Sequence, residues 1–299
     1  MAERSVFVIF NPGAGRGRAR ELVRPYLESL RRHLPGAGHA VTERPGEERA
    51  LADRALAEGC DTLAAMGGDG TWSNVADRIL RSGRREVALG LLPAGTGNDF
   101  GKSLGVRFGD PEAAVRAVAR GTTRTVDVGR AGERHFLNVL GFGFDLAVIA
   151  DAARTPFLKG DALYRFCALK QLFRFPGLPL ELADGAGRAV RGSHLMLIIA
   201  NARYFGGTFL IAPRAELADG RLDAVAIRDA GPLRRAKLFR LVAKGEHERA
   251  PEVTCWQSPR FRAVFESSVP YEVDGEVFTM EASAIEVESV PGALRVIVP

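Results

Sequence analysis

Residues 67–73 combine three glycines, one carboxylate and two hydroxyl groups in the order Gly-Gly-Asp-Gly-Thr-Trp-Ser. A short apolar run, Thr62–Met66, precedes this segment, and apolar residues at helical spacing follow it. Glycines let the backbone turn sharply and approach a bulky ligand, and a helix N-terminus offers free N–H groups and a positive dipole end. The segment therefore suits phosphate binding. The alternative is a tight strand-to-helix turn in which Asp69 or Thr71 is the N-cap.

Two more glycine-rich segments also follow apolar runs. Residues 11–18 read Asn-Pro-Gly-Ala-Gly-Arg-Gly-Arg and come directly after Ser5–Phe10. Residues 93–100 read Pro-Ala-Gly-Thr-Gly-Asn-Asp-Phe and come directly after Val87–Leu92. The first of these segments matches neither the dinucleotide fingerprint nor the P-loop with its Lys-Ser/Thr pair, and an ordinary turn remains its competing interpretation.

The elements that carry these segments determine where they lie. Four apolar runs, Ser5–Phe10, His39–Thr42, Thr62–Met66 and Val87–Leu92, alternate with helical patterns, which predicts a parallel sheet with right-handed crossovers. The glycine-rich segments follow the first, third and fourth runs, so we expect them at the carboxyl edge of the sheet, where open α/β sheets bind ligands. Thr42 ends the second run at the same edge and is placed to hydrogen-bond a nucleotide. Three such loops at one edge predict a nucleotide site more strongly than any one of them.

The pattern changes near residue 125. Short alternating runs with Gly and Pro turns follow, and they end in Ser283–Val290 and Leu294–Val298. This pattern predicts an antiparallel sandwich. We therefore expect two domains, a Rossmann-like α/β domain over residues 1–124 and a β-sandwich domain over residues 125–299.

Helical patterns interrupt the second half at Phe144–Ala153, Gly160–Phe175 and Pro232–Lys244. The last of these is basic on one side. The first two lie within an apolar, aromatic stretch over residues 142–175, which is either core or a lid or cleft for an apolar substrate.

Acidic residues of the second half cluster at two turns. Asp219 precedes a glycine within residues 212–223, where a carboxylate and nearby carbonyl groups suit a hard cation such as Mg²⁺. Asp-Gly is also the commonest hairpin turn, which is an equally good explanation. Asp274 and Glu276 flank Gly275 at a strand end, where two carboxylates can act as a base and as a metal or water ligand. A plain turn is again the alternative.

The composition favours anionic partners, since the net charge is +5 and most of the excess is arginine. No basic stripe alternates with aromatic residues, so we do not expect nucleic acid binding. No stretch has the roughly 18 apolar residues that a membrane span needs, and the N-terminus lacks the apolar core of a signal peptide. Cys60, Cys167 and Cys255 are far apart and lack metal-type spacing. Reduced thiols and a cytoplasmic location are therefore expected.

The motifs resemble those of the diacylglycerol kinase catalytic-domain family, which includes bacterial soluble lipid kinases, sphingosine kinases and ceramide kinases. Asn11–Gly15, Gly67–Thr71 and Gly95–Phe100 occur in the family's order and spacing, and the turns at Asp219 and Asp274 match its second domain. The resemblance covers nearly the whole chain. Gly-Gly-Asp-Gly-Thr alone is shared with NAD kinases and, loosely, with phosphofructokinases, whereas Gly-Thr-Gly-Asn-Asp-Phe is the element that indicates lipid kinases.

The resemblance implies a set of site residues. Its ATP site maps to Asn11, Pro12, Gly13, Ala14, Gly15, Thr42, Gly67, Gly68, Asp69, Gly70, Thr71, Trp72, Ser73 and Thr96, together with Asn98 and Asp99 of the third motif. Asp274 corresponds to the proton acceptor, with Glu276 beside it and Asp69 as the second candidate. A structural Mg²⁺ maps to Glu216, Asp219 and Arg221, of which Glu216 and Arg221 would contribute backbone carbonyl groups. A catalytic Mg²⁺ would be reached through Asp69, Asp99 or Glu276 and water.

The resemblance also departs from the family pattern in one loop. Residues 201–208 read Asn-Ala-Arg-Tyr-Phe-Gly-Gly-Thr, where family members often have Gly-Asn-Gly-Arg followed by three glycines. The backbone conformation of this loop is therefore open.

The expected activity is ATP-dependent phosphorylation of a lipid hydroxyl by an enzyme that contacts the membrane peripherally. Two rivals stay open, a kinase of a soluble metabolite similar to NAD kinases and a nucleotide- or lipid-binding regulator without turnover. The lipid is not specified, and the oligomeric state stays open with a homodimer as one option.

Overall fold

The computed structural model describes residues 4–155 and 160–299. The strands, in chain order, are β1 (Val6–Phe10), β2 (Gly38–Val41), β3 (Thr62–Gly67), β4 (Ala88–Pro93), β5 (Thr123–Ala131), β6 (Arg134–Phe136), β7 (Val139–Gly143), β8 (Leu178–Asp184), β9 (Ala189–Ala200), β10 (Tyr204–Phe205), β11 (Phe209–Leu210), β12 (Leu222–Arg228), β13 (Val253–Ser258), β14 (Arg260–Phe265), β15 (Pro270–Val273), β16 (Glu276–Thr279) and β17 (Ala284–Ile297). The α-helices are α1 (Arg20–His33), α2 (Glu47–Ala57), α3 (Asp69–Arg81), α4 (Asp99–Ser103), α5 (Pro111–Arg120), α6 (Phe144–Ala153), α7 (Gly160–Arg174) and α8 (Pro232–Lys244).

The N-terminal part is a parallel sheet with helices on both faces. Its strands lie in the order β2–β1–β3–β4, and each neighbouring pair is parallel. Every residue of β1, β3 and β4 is buried, because α1 and α5 pack on one face and α2 and α3 on the other. The predicted Rossmann-like α/β architecture is confirmed, and the carboxyl ends of β1, β3 and β4 meet at one edge.

The C-terminal part consists of antiparallel strands, as predicted. They run in the order β16–β15–β7–β9–β8–β14–β17, with β12 and β13 attached beside β9. One apolar core lies between the strands and is rich in aromatic residues such as Phe142, Phe261 and Trp256. A second core lies beneath α6, α7 and α8.

The last strand differs from the sequence prediction. Instead of two strands, the structure has one strand, β17, whose pairing register with β5 shifts between Val290 and Leu294. Gly292 lies at this irregularity with a φ of 56°. β17 pairs antiparallel with β14 and β5, and its end pairs parallel with β4, so the sheet is continuous between the two halves. The domain boundary after residue 124 falls within β5 and stays a prediction.

The predicted helices of the second half are confirmed at α6, α7 and α8. α6 buries Phe144, Leu146 and Val148, so this part of the apolar stretch is core. α7 exposes Leu169 and Phe173, which are 59% and 67% accessible. Residues 156–159 of the same stretch lie outside the described residues.

Candidate active site

The three glycine-rich loops touch one another at the carboxyl edge of the parallel sheet. A Cβ atom on Gly95 would lie 2.5 Å from the Cα of Gly68, and one on Gly15 would lie 2.9 Å from the carbonyl oxygen of Ala94. The loops approach this closely because these positions lack side chains. The Nδ2 of Asn11 also donates a 2.9 Å hydrogen bond to the Oγ1 of Thr71.

The loops line an open cleft of about 550 Å³. Most of the predicted nucleotide residues line it, namely Asn11, Pro12, Gly13, Ala14, Gly15, Thr42, Gly68, Asp69, Gly70, Thr71 and Thr96. Asp274 and Glu276 line the same cleft from the C-terminal part of the chain. The structure thus brings together residues that are more than two hundred positions apart in the sequence.

Asp69 lies in the first turn of α3, after a Gly68 N-cap that has no side-chain cap. The alternative in which Asp69 or Thr71 caps the helix is therefore wrong. Asp69 Oδ1 accepts hydrogen bonds from the backbone N–H of Phe100 at 2.9 Å and from Asn138 Nδ2 at 3.0 Å. Asp69 Oδ2 lies beside Gly97, where an added Cβ would be only 3.1 Å away. Burial raises the pKa of Asp69 and the nearby Asp99 charge adds to this effect, against hydrogen bonds from the backbone of Phe100 and Asp99 and from Asn138.

Asp274 lies at the turn between β15 and β16 with a φ of 48°. Its Oδ2 accepts the backbone N–H of Leu137 at 2.7 Å, and its Oδ1 accepts those of Asn138 at 2.8 Å and Val139 at 3.0 Å. The Ser73 side chain also hydrogen-bonds this carboxylate. Burial raises the pKa of Asp274 to about 6 against these hydrogen bonds. The carboxylate therefore fastens the turn to the start of β7.

Two residues of the third motif shape loops. Asn98 has a left-handed φ of 52°, and its side chain accepts from Gly95 N and donates to Gly95 O, which closes the loop. The Asp99 carboxylate accepts from Lys102 Nζ at 2.9 Å and from Gly207 N at 2.8 Å. Gly207 belongs to the loop that departs from the family pattern, and its φ of 81° is the left-handed conformation that glycine favours.

Trp72 corrects one sequence prediction. Its side chain is completely buried in the core beneath the sheet, and its Nε1 donates to the carbonyl oxygen of Ala65 at 2.9 Å. The indole ring therefore does not reach the cleft. The helical spacing predicted correctly that Trp72 belongs to α3. Its side chain lies on the face of that helix that packs against the strands.

The turn proposed for Mg²⁺ lies away from the cleft residues. Glu216, Asp219 and Arg221 are exposed, and Asp219 Oδ1 accepts the backbone N–H of Arg221 at 2.9 Å. Within residues 4–155 and 160–299, no group of three His, Cys, Asp or Glu side chains is arranged to hold a metal ion. A cation at this turn would have one side-chain carboxylate, with carbonyl oxygens and water as its other ligands, and the site stays a prediction.

Comparison with known proteins places the chain in a family. A family model for the diacylglycerol kinase catalytic domain matches residues 5–131. A model for the YegS C-terminal NAD kinase beta sandwich-like domain matches residues 138–298, more than half of the chain. The chain belongs to the diacylglycerol kinase and YegS-like lipid kinase family. It is therefore a kinase.

The relatives of this kinase match it along most of its length. A YegS-like lipid kinase of Pseudomonas aeruginosa is 34% identical over 266 residues, which cover 87% of this chain and 83% of the relative. A diacylglycerol kinase of Mycobacterium tuberculosis is 29% identical over 299 residues, which cover 98% and 95%. A crystal structure of a diacylglycerol kinase from Bacillus anthracis str. Sterne has a TM-score of 0.77 at 22% identity and covers 100% of this chain and 98% of that chain. The structural likeness shows the shared fold.

Sequence reasoning missed several polar residues of this kinase's site. Asn138 joins the two carboxylates, since its N–H donates to Asp274 and its side chain donates to Asp69. Glu272 is buried next to this region. The two carboxylate oxygens of Asp145 are also buried and have no hydrogen-bond partner among the described residues. Burial raises the pKa of Asp145 to about 6, and burial with the charges of Asp145 and Asp274 raises that of Glu272 well above its usual value. A single acidic or amide residue in a loop, a helix or a strand, as at Asn138, Asp145 and Glu272, gives no sequence signal for such clustering.

Proposed function

We propose that this kinase transfers the γ-phosphoryl group of ATP to a hydroxyl group of a lipid, with diacylglycerol or a related lipid alcohol as the acceptor. The observation that carries this proposal is the meeting of three glycine-rich loops and the carboxylates of Asp69 and Asp274 at one cleft. Backbone N–H groups at the α3 N-terminus suit the phosphates. The relatives named as diacylglycerol or lipid kinases supply the acceptor class.

Phosphoryl transfer depends mainly on positioning and on neutralising charge. The lipid hydroxyl oxygen attacks the γ-phosphorus, the bond to the bridging oxygen breaks, ADP leaves, and the hydroxyl proton passes to a carboxylate. We assign this proton to Asp69, because its Oδ2 lies beside Gly97 at the cleft. The family resemblance points to Asp274, but backbone N–H donors already occupy both oxygens of that carboxylate, whereas Phe100 and Asn138 both donate to Oδ1 of Asp69. A general base needs a free lone pair within reach of the proton.

The residues at the cleft also fit a Mg²⁺ ion that accompanies ATP. Mg²⁺ usually takes one or two protein carboxylates and completes its coordination with phosphate oxygens and water. Asp69 and Glu276 line the cleft and offer carboxylates there, whereas Asp99 does not line it. Bound Mg²⁺ would neutralise charge on the phosphates.

The lipid acceptor implies contact with a membrane surface from the cytoplasm. No helix among the described residues has the length and apolar character to cross a bilayer. α8 carries five basic and no acidic residues, of which Lys237, Arg240 and Lys244 are exposed. Arg235 is buried and joins α8 to the end of α7, because it donates to the carbonyl oxygens of Leu172 and Phe175. The exposed Leu169 and Phe173 of α7 add apolar surface. Basic and apolar groups together favour reversible binding to anionic membranes.

The test is phosphate transfer from labelled ATP with Mg²⁺ to a panel of acceptors. The panel holds diacylglycerol, phosphatidylglycerol and a sphingoid base in mixed micelles, with NAD as the soluble acceptor. We expect label in the lipid phase with at least one lipid alcohol. Label in NAD alone, or no transfer to any acceptor, would contradict the proposal.

A further inference from the structure

Glu48, Arg49, Asn74 and Glu276 form a polar cluster at one wall of the cleft, called here the 48/49/74/276 cluster. Glu48 and Arg49 belong to α2, Asn74 to α3, and Glu276 begins β16. Arg49 Nη2 donates to Glu276 Oε2 at 2.9 Å, and Asn74 Nδ2 donates to Glu276 Oε1 at 2.9 Å. Two helices of the N-terminal part thus hold both oxygens of one carboxylate from the C-terminal part.

Asn74 is the centre of this cluster. Its Nδ2 donates to Glu48 Oε1 at 2.6 Å as well as to Glu276, and its Oδ1 accepts Arg49 Nη2 at 2.6 Å and Nε at 3.1 Å. The Asn74 NH₂ group faces two carboxylates and its oxygen faces the Arg49 guanidinium, so only one orientation of the amide satisfies all three neighbours. Asn74 and Glu48 are buried, so the cluster has a fixed geometry rather than a mobile surface pairing.

The cluster acts on the turn that carries Asp274. Asp274 and Gly275 both have a left-handed φ, of 48° and 90°, so the turn is tight. At one end of the turn, the Asp274 carboxylate is hydrogen-bonded to the backbone of Leu137–Val139. At the other end, the Glu276 carboxylate is hydrogen-bonded to the cluster. Asn74 belongs to the same helix as Asp69. The cluster therefore links the helix that begins with Asp69 to the turn that carries Asp274.

We infer that Arg49 and Asn74 are positioning residues that hold the Glu276 carboxylate at the cleft in the orientation needed for phosphoryl transfer. This inference rests on the proposed function, in which Glu276 serves the nucleotide and its metal. The contact is worth little as a stabilising ion pair, because Arg49 and Glu276 are 42% and 39% exposed. A separate ion pair, Arg78 to Asp53 at 2.6 Å, already joins α2 and α3 without reaching β16.

That second ion pair supplies the matched control. Arg49→Met and Arg78→Met each remove one arginine that bridges α2 and α3, but only the first removes a hydrogen bond to Glu276. We expect Arg49→Met to lower kcat by about 30-fold, since small misplacements of a positioned group cost up to about 100-fold. Arg78→Met should leave kcat within about twofold, with a change in Tm similar to that of Arg49→Met. Arg49→Lys should recover part of kcat, because lysine can reach Glu276 but cannot pair with Asn74 at the same time. Equal kcat values for Arg49→Met and Arg78→Met would overturn the inference.

A charge exchange separates positioning from simple attachment. The double variant Arg49→Glu/Glu276→Arg restores the link between α2 and β16 but removes the carboxylate from the cleft. We expect Tm to recover only in part relative to the single variants, because Asn74 cannot pair with the exchanged residues and with Glu48 at once, while kcat stays at least about 30-fold low. Recovery of kcat in the exchange would show that attachment alone matters, and would overturn the inference.

The proposed function fails separately, if the wild-type protein transfers no phosphate to any lipid. The cluster is then tested by Mg²⁺-ATP binding to the same variants. Binding at least about tenfold weaker in Arg49→Met than in Arg78→Met would support the positioning role. Equal affinities would contradict it.

Discussion

Asp69 and Asp274 are two carboxylates at one cleft, and they differ in what surrounds their oxygens. Burial raises the pKa of both. Both oxygens of Asp274 accept backbone N–H groups, three in all. Asp69 accepts Phe100 N–H and Asn138 Nδ2 at Oδ1, and its Oδ2 lies beside Gly97 at the cleft. Asn138 connects them by donating to each.

The difference separates two roles for the same chemical group. A carboxylate whose acceptor sites are filled by backbone donors stabilises a local conformation, while one with acceptor capacity towards a cleft can take up a proton. Asp274 thus fixes the position of the backbone at the start of β7. Asn138 belongs to that backbone segment, and its side chain in turn fixes the position of Asp69 Oδ1. Variants that change one carboxylate at a time test this distinction.

The largest expected effect on turnover comes from Asp69→Asn. The amide oxygen can still accept from Phe100 and Asn138, so the fold should be retained, but the proton acceptor is lost. We expect kcat to fall by about 10³-fold with Tm close to wild type. Steady-state assays with a lipid acceptor and thermal unfolding by circular dichroism measure both, and an unchanged kcat would remove Asp69 from the mechanism.

Asp274→Asn should act mainly on stability. The new NH₂ group would face the N–H donors of Leu137–Val139, which leaves buried donors unpaired. We expect a loss of about 1–3 kcal/mol in the free energy of unfolding, together with a kcat lowered by about tenfold through the displaced turn. Urea unfolding checks the first value. Wild-type stability in this variant would mean that the hydrogen bonds to Asp274 contribute nothing.

The pH dependence of stability should carry the signature of Asp274. Because its folded pKa of about 6 lies above the ordinary value, the folded state binds the proton more tightly than the unfolded state. Its contribution to stability is complete below the ordinary aspartate pKa and is lost as the pH rises through about 6. Unfolding free energies measured between pH 4 and pH 7 should therefore decline less steeply in Asp274→Asn than in the wild type. Parallel curves for the two proteins would contradict this prediction.

The smallest expected effect lies outside the cleft, at Asp219. If Mg²⁺ binds the turn at Glu216, Asp219 and Arg221, Mg²⁺ should raise the wild-type Tm by a few degrees through binding to the folded state. Asp219→Asn should lose part of that rise and keep kcat within about twofold. An equal Mg²⁺ effect on Tm in both proteins would place the ion elsewhere.

The sequence predicted the fold well where local patterns determine it. Continuous apolar runs predicted β1, β3 and β4, and the glycines between Gly67 and Gly97 predicted loops at one edge. The two runs Ser283–Val290 and Leu294–Val298 predicted a break, but pairing of β17 with β5 on both sides keeps the strand continuous.

The site was predictable only in part, because its contacts join distant positions. Asp274 meets the backbone of Leu137–Val139, and Glu276 meets Arg49 across 227 positions. No periodicity encodes such pairs. Trp72 was mispredicted for a different reason. It is adjacent in sequence to residues that line the cleft, but its side chain lies on the face of α3 that packs in the core.

The most direct test compares Asp69→Asn and Asp274→Asn in single-turnover phosphoryl transfer from saturating ATP. The temperature should be one at which circular dichroism shows both variants to be folded. The account predicts that Asp69→Asn is slower than Asp274→Asn by at least about tenfold. A folded Asp274→Asn protein that is the slower of the two would contradict the account and make Asp274 the proton acceptor.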